Sequence, residues 1–189
     1  MTDGSTSLLA QSFHPDTFVQ VWLVMAGVPL VIGLLILVPL SRKIEDDTGK
    51  GLSLRATGLL AGLAGFLAPV LWLTWSGYHE TPLDFSLPAP NRFPEWQIIA
   101  LALTYFIPIV VLALKMRRPF VGAFALAVGG AIGSTTAMIV DVAFMDTTSQ
   151  EGIGVFIALF GVGLITFVIG DMIGLPRGLR AGFKRPRSK

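Results

Sequence analysis

The chain of 189 residues is 53% hydrophobic and 14% charged, with a mean hydropathy of +0.72 and a formal charge of +2. A soluble domain carries roughly 25% charged residues, so this composition belongs to an integral membrane protein whose first partner is the lipid bilayer, and no nucleic-acid partner is expected. Cysteine is absent, which excludes disulfides, iron–sulfur clusters, thiolate metal sites and cysteine nucleophiles, and His14 and His79 lie outside the apolar runs, so no haem or other cofactor is expected.

Residues 1–15 are polar, rich in Ser and Thr and without Lys or Arg, so they are not the basic start of a secretory signal. Asp16 or Thr17 is placed to cap a first apolar helix over about 17–40, long enough for a hydrocarbon core of roughly 30 Å. Pro29 should remove a backbone hydrogen bond and bend this helix, and Pro39 should mark its inner end. A charged, Gly-containing loop follows. The second apolar run covers 54–76, with Gly58, Ala61, Gly62, Gly65 and Ala68 at helical spacing and Trp72, Trp75 and Tyr78 at its far end, as in an aromatic belt. Residues 77–94 contain Pro82, Pro88, Pro90 and Pro94, a density that favours an extended path and precludes a long helix.

The third run, 95–114, starts with Trp96 at an interface and carries Thr104, Tyr105 and Pro108 inside. Lys115, Arg117 and Arg118 then form a turn so short that the third and fourth runs must be antiparallel neighbours. The fourth run, 119–145, organises the rest. On a helix advancing about 100° per residue, Ala123, Ala127, Gly130, Ser134, Ala137 and Asp141 share one face, with Gly133 beside them. Lipid provides no hydrophobic drive for helices to associate, so such small residues are read as a contact surface. The fifth run, 152–174, has its own small stripe in Gly163, Thr166, Gly170 and Gly174, and Pro176 with Gly178 is expected to stop it before a basic tail, 175–189.

These elements predict an all-α fold: one transmembrane domain, a five-helix bundle with helix-packing positions at Gly58, Gly62, Gly65, Gly130, Gly133, Ala137, Gly163, Gly170 and Gly174. Arg42, Lys43, Lys50, Arg55, Lys115, Arg117, Arg118 and the basic residues from Arg177 onward fall on one side, and Arg92 alone on the other. The positive-inside rule then puts the N-terminus outside and the C-terminus in the cytoplasm, in a multi-pass protein of the cell membrane.

Asp141 is the sharpest polar candidate, because a carboxylate at mid-membrane costs roughly 2.5 to 3.5 kcal/mol on insertion scales. The residues leave two readings of it open, a proton- or cation-handling group and a structural hydrogen bond between helices. Asp171 does not complete a dyad with it, since the two helices run oppositely and separate the carboxylates by about 28 Å at 1.5 Å per residue. Asp171 is read instead as an interfacial residue paired with Arg177 or Arg180. His14 and His79, with Asp16, Glu80, Asp84 and Glu95, share the outer side, but they form no HxxxH or HExxH pattern and no metal site is expected. Neither Gly49–Gly51 nor 133–136 completes a phosphate-binding loop or a GxSxG elbow, so no catalytic residue is expected.

Function is ranked by exclusion. A non-catalytic accessory or structural subunit, assembling with other membrane-protein subunits or with itself, comes first, because three small-residue faces exceed what five short helices need for themselves. The alternative is a small oligomeric permease or channel moving protons, cations or a small solute past Asp141, with Ser134, Thr135 and Tyr105 lining an intramembrane polar site.

Overall fold

In the computed structural model the described residues are 13–43, 51–78, 85, 89–90, 92–144 and 149–183, with the backbone alone described at 43, 149–152 and 178–183. Among them the chain is all-helical without strands. Five stretches are long and apolar enough to cross a membrane: Pro15–Arg42, Leu54–Leu73, Glu95–Lys115, Pro119–Val142 and Ile153–Arg177. The tail 1–12, the acidic loop 44–50 and the terminal 184–189 lie outside the described residues.

The first span comprises α1 (Pro15–Trp22), a π-helical stretch Leu23–Gly27 and α2 (Val28–Lys43). Its N-cap is His14, not Asp16 or Thr17. Pro15 occupies the first turn, where its missing N–H is no loss, and no side chain caps the helix. The interruption expected from Pro29 takes the form of that wider turn: Val28 N–H reaches back to Leu23 O, just before the residue that has no N–H to give. Pro39 does not end the helix, which continues to Lys43.

The second span is α3 (Leu54–Leu73), whose N-cap Ser53 accepts a bond from Ala56 N–H at 3.3 Å. It stops at Leu73 rather than at 76 because Thr74 leaves the helical region. Next come α4 (Glu95–Lys115) and α5 (Pro119–Val142). The fifth span joins α6 (Ser149–Phe156), a second π-helical stretch Ile157–Val162, and α7 (Gly163–Phe183). Pro176 lies inside α7 and does not stop it. That turn is held from outside, where Arg177 Nη1 donates to Ala113 O on α4 at 3.0 Å.

Helix α5 is the axis of the bundle, and the reason is its small residues. A Cβ at Gly129 would fall on Gly58 O, one at Gly133 on Gly62 O, and one at Gly65 on Gly130 O, so α3 and α5 meet backbone to backbone along the whole crossing. The approach is asymmetric. At Gly58 and Gly62 the nearest atoms to an added Cβ are Ala125 O at 3.5 Å and Gly129 O at 3.4 Å, which is ordinary contact. Helix α7 docks on another side of α5 through Gly163 against Ala131, Gly170 against Ala123 and Gly174 against Met116 and Pro119. Ala123 and Ala127 are buried, and Ala137 is half-buried.

Larger apolar side chains fill the rest. One core joins Ala61, Tyr105, Ile109, Leu112, Met116 and Leu126 between α3, α4 and α5, and a second joins Ala26, Ile139, Val142 and Val155 where the first and last spans meet the far end of α5. The first span runs antiparallel to α5 along its full length. His14 N–H donates to Ala143 O at 2.9 Å, Trp22 Nε1 donates to Thr136 Oγ1 at 3.0 Å, Gly33 lies on Val128, and Arg118 Nη1 donates to Ser41 O.

The α3–α5 crossing makes a selective prediction. Gly129→Ala and Gly133→Ala should each destabilise the bundle by about 1–3 kcal/mol, because the added methyl meets a rigid carbonyl. Gly58→Ala, with room for the methyl, should be neutral or gain up to about 1 kcal/mol from helix propensity. Reversible unfolding in mixed micelles measures all three, and equal losses at Gly58 and Gly129 would contradict this geometry.

Candidate functional site

Four helices converge on one polar node in the middle of the bundle. Tyr105 from α4 and Thr166 from α7 share a buried hydrogen bond of 2.6 Å between hydroxyl oxygens. The tyrosine hydroxyl occupies the space where a Cβ of residue 130 would stand, so Gly130 is the floor of this pair. One turn further along α5, Ser134 Oγ donates to Gly65 O of α3 at 3.2 Å. The small residues that let the backbones approach thus also bring the hydroxyls of three helices to one depth.

Of the four residues read from the sequence as a polar site, the Tyr105 hydroxyl and Ser134 lie about one turn apart along α5, each bonded to a different partner, Thr166 and Gly65 O. Thr135 is fully buried beside Ser134, and its Oγ1 has no hydrogen-bond partner among the described residues, as is also true of Thr57 Oγ1 on α3. Asp141 is elsewhere. It stands two turns beyond Ser134, about 10 Å along the axis at 1.5 Å per residue, and its Oδ1 accepts a bond from the backbone N–H of Ala89 in the loop between the second and third spans. The contact reaches a loop, not a neighbouring helix.

The carboxylate of the last candidate span is at the opposite end of α5. Gly170 rests on Ala123 and Gly174 on Pro119, so Asp171 lies at the level of the first turn of α5, far from Asp141 at its last. Its expected pairing with Arg177 is not formed: Arg177 donates to Ala113 O, and Asp171 Oδ1 is buried without a hydrogen-bond partner among the described residues. The guanidinium is long enough to reach a carbonyl left without a helical partner in the last turn of α4, and that contact decides its position. The Arg180 side chain lies outside the described residues.

The end of the bundle opposite the arginines is closed by a network that sequence reading missed. Gln97, fully buried, donates through Nε2 to Trp72 O and Trp75 O and accepts Gly77 N–H on Oε1 at 2.9 Å. Trp72, Trp75 and Trp96 pack ring against ring around it, with Trp72 Nε1 donating to Thr104 Oγ1 at 2.9 Å. Ser76 Oγ donates to Arg92 O at 2.9 Å and ties the second loop down. The amide finishes α3: the last carbonyls of a helix lack partners, and one side chain with two donors satisfies Trp72 O in the last turn and Trp75 O just beyond the helix end. Its only signal in the sequence was a neutral polar residue one turn into an apolar run.

His14 and Glu95 are exposed, and among the described residues no three His, Cys, Asp or Glu gather as a metal site would require. His79, Glu80 and Asp84 lie outside the described residues. No family model, curated protein or solved structure matches this chain.

The node is a packed hydrogen-bonded pair, and a double-mutant cycle reads it directly. Tyr105→Phe and Thr166→Val should show a coupling of about 0.6 kcal/mol, the average for hydrogen bonds between membrane helices, and no more than about 1.7 kcal/mol. A coupling indistinguishable from zero would mean that the two hydroxyls do not bond each other in the folded protein.

Proposed function

We propose that this chain is a non-catalytic, multi-pass protein of the cell membrane, N-terminus outside and C-terminus cytoplasmic, that serves as an accessory or structural subunit assembled with other membrane proteins. The single observation that carries this reading is the contrast between α5 and the first span. Of the polar groups packed against α5, Tyr105 bonds Thr166 over Gly130 and Ser134 bonds Gly65 O in a filled seam. The first span, by contrast, turns Val24, Val28, Val31, Leu35 and Val38 outward. The glycine faces of the second, fourth and fifth spans are consumed within the chain, so they are not the surplus contact surface expected from the sequence. A partner helix would meet the first span, along the furrow between Val31, Leu34, Leu35 and Val38.

Purification in mild detergent should bring down a stoichiometric membrane partner, and a photoreactive residue at Leu35 should crosslink to it. Leu35→Trp, on an exposed position that leaves the bundle's contacts intact, should release it. Migration as a lone monomer, with adducts only to lipid, would remove this role.

A second reading has its own observation. Thr57 and Thr135 place two fully buried hydroxyls in the bundle without a partner among the described residues, and such a group costs about 1–3 kcal/mol unless something bonds to it. Water at those positions would make Ser134, Thr135 and Tyr105 the hydrated lining of a small permease or channel that passes protons, cations or a small solute by Asp141. Asp141→Asn keeps an oxygen to accept Ala89 N–H while removing the charge. It should therefore abolish a wild-type proton or cation flux in proteoliposomes without lowering expression, and a wild-type protein with no flux ends this reading.

A further inference from the structure

The basic end of the bundle gathers its guanidinium groups instead of spreading them. Between the start of α3 and the turn before α5 lies a cleft of about 250 Å³ lined by Ser53, Leu54, Arg55, Arg117 and Arg118. Its two walls are zipped by backbone: Leu52 N–H donates to Lys115 O at 2.7 Å and Arg117 N–H to Leu52 O at 3.2 Å. Gly51 makes the zip possible, with φ at +115° and no room for a Cβ against Lys115 O. Arg117 Nε donates to Gly51 O and Arg118 Nη1 to Ser41 O, so both stems are fixed before any ligand arrives. A guanidinium has five N–H donors, and one bond to a carbonyl orients Arg118 while leaving most of them for another acceptor. Arg55 stands exposed at the rim.

Orientation of the spans requires positive charge on this side, and it requires nothing more. Convergence of three arginines on one rigid cleft is a separate property. Guanidinium forks match the geometry of phosphate oxygens, and they do so best when held in place beforehand. The cleft also has an apolar wall, Leu54, at the point where an apolar helix begins. A group bound there carries negative charge on one side and hydrocarbon on the other. We propose that this cleft seats the phosphate of an anionic phospholipid from the leaflet that meets the basic end. The seat does not depend on the assembly role above.

The test is lipid retention by the purified full-length protein in detergent, titrated with phosphatidylglycerol or phosphatidylcholine and read by native mass spectrometry. Wild type should retain phosphatidylglycerol in preference. Arg55→Gln, which touches none of the bonds that zip the cleft, should weaken that retention roughly fivefold, as expected for one basic residue near a lipid surface. Arg42→Gln removes the same charge from the same side but lies outside the cleft, and should leave retention unchanged. Arg55→Lys should recover part of the loss. Inorganic phosphate is the second arm: if it binds the wild type and not Arg55→Gln while phosphatidylglycerol shows no preference, the phosphate chemistry holds and its source is a soluble anion. Equal effects of the Arg55 and Arg42 variants, or no binding in either arm, would overturn the seat. Arg55→Gln would also leave retention unchanged if the chain's own Glu45, Asp46 and Asp47 answered these arginines, and that result too would overturn it.

Discussion

The structure depends on one close approach. Where α3 crosses α5, the backbone of one helix lies against the backbone of the other, because Gly65, Gly129 and Gly133 present hydrogen where any other residue would present carbon. Inside a bilayer this matters more than in water. Lipid tails are as apolar as leucine, so burial alone gives no net drive, and association rests on the number of atoms brought into contact and on polar pairing. Two helices without side chains between them maximise the first and permit the second. With the α3–α5 distance set by glycine, Ser134 reaches Gly65 O, and Tyr105 comes in over Gly130 to meet Thr166. The polar node follows from the seam.

Much of this was legible in the letters, and what was not has physical causes. Five apolar runs separated by charged or proline-rich segments can hardly be read otherwise, and the small-residue stripes named the contact faces of α3, α5 and α7. The stripe could not say which glycine is indispensable. Gly58 and Gly129 look alike in sequence, but the crossing angle brings a carbonyl onto one Cβ position and leaves the other at contact distance. Proline misled where tertiary contacts hold the chain beyond it: Pro176 suggested a stop, but α7 continues through it while Arg177 ties that turn to the end of α4. Gln97 was invisible because its role is set by the ends of α3, which no local window around residue 97 contains. Asp141 was read along its own helix, whereas its bonded partner Ala89 is contributed by a loop whose path the sequence did not determine.

The carboxylates of the fourth and fifth candidate spans, Asp141 and Asp171, stand at opposite ends of α5. Asp141 ends α5 and accepts a backbone N–H from the adjoining loop, a use in which a negative charge strengthens the bond it receives. Helix dipoles argue against that position, since a C-terminus already carries partial negative charge. The loop N–H is therefore compensation as well as tether. Asp171 sits at the other end, level with the first turn of α5, where the same dipole argument runs the opposite way and a nearby carboxylate is favoured. Asp141 is thus bonded to a loop at its end of the helix, and Asp171 keeps its buried Oδ1 unpartnered among the described residues at the other.

The first span is bound by a different logic from the rest. It has no glycine seam of backbone against backbone; its close contact is Gly33 on Val128, and its polar ties sit near the ends and at Trp22. Van der Waals contact decays steeply with separation, so a helix held at a few points contributes less to the bundle than one packed along its length. Its middle carries the π-helical turn before Pro29, where the regular ladder is widened, and within that turn Ala26 is fully buried in the core that also holds Ile139, Val142 and Val155. The first span is thus attached through one apolar core around Ala26 and a few polar ties, whereas the α3–α5–α7 centre is locked along its length by glycine.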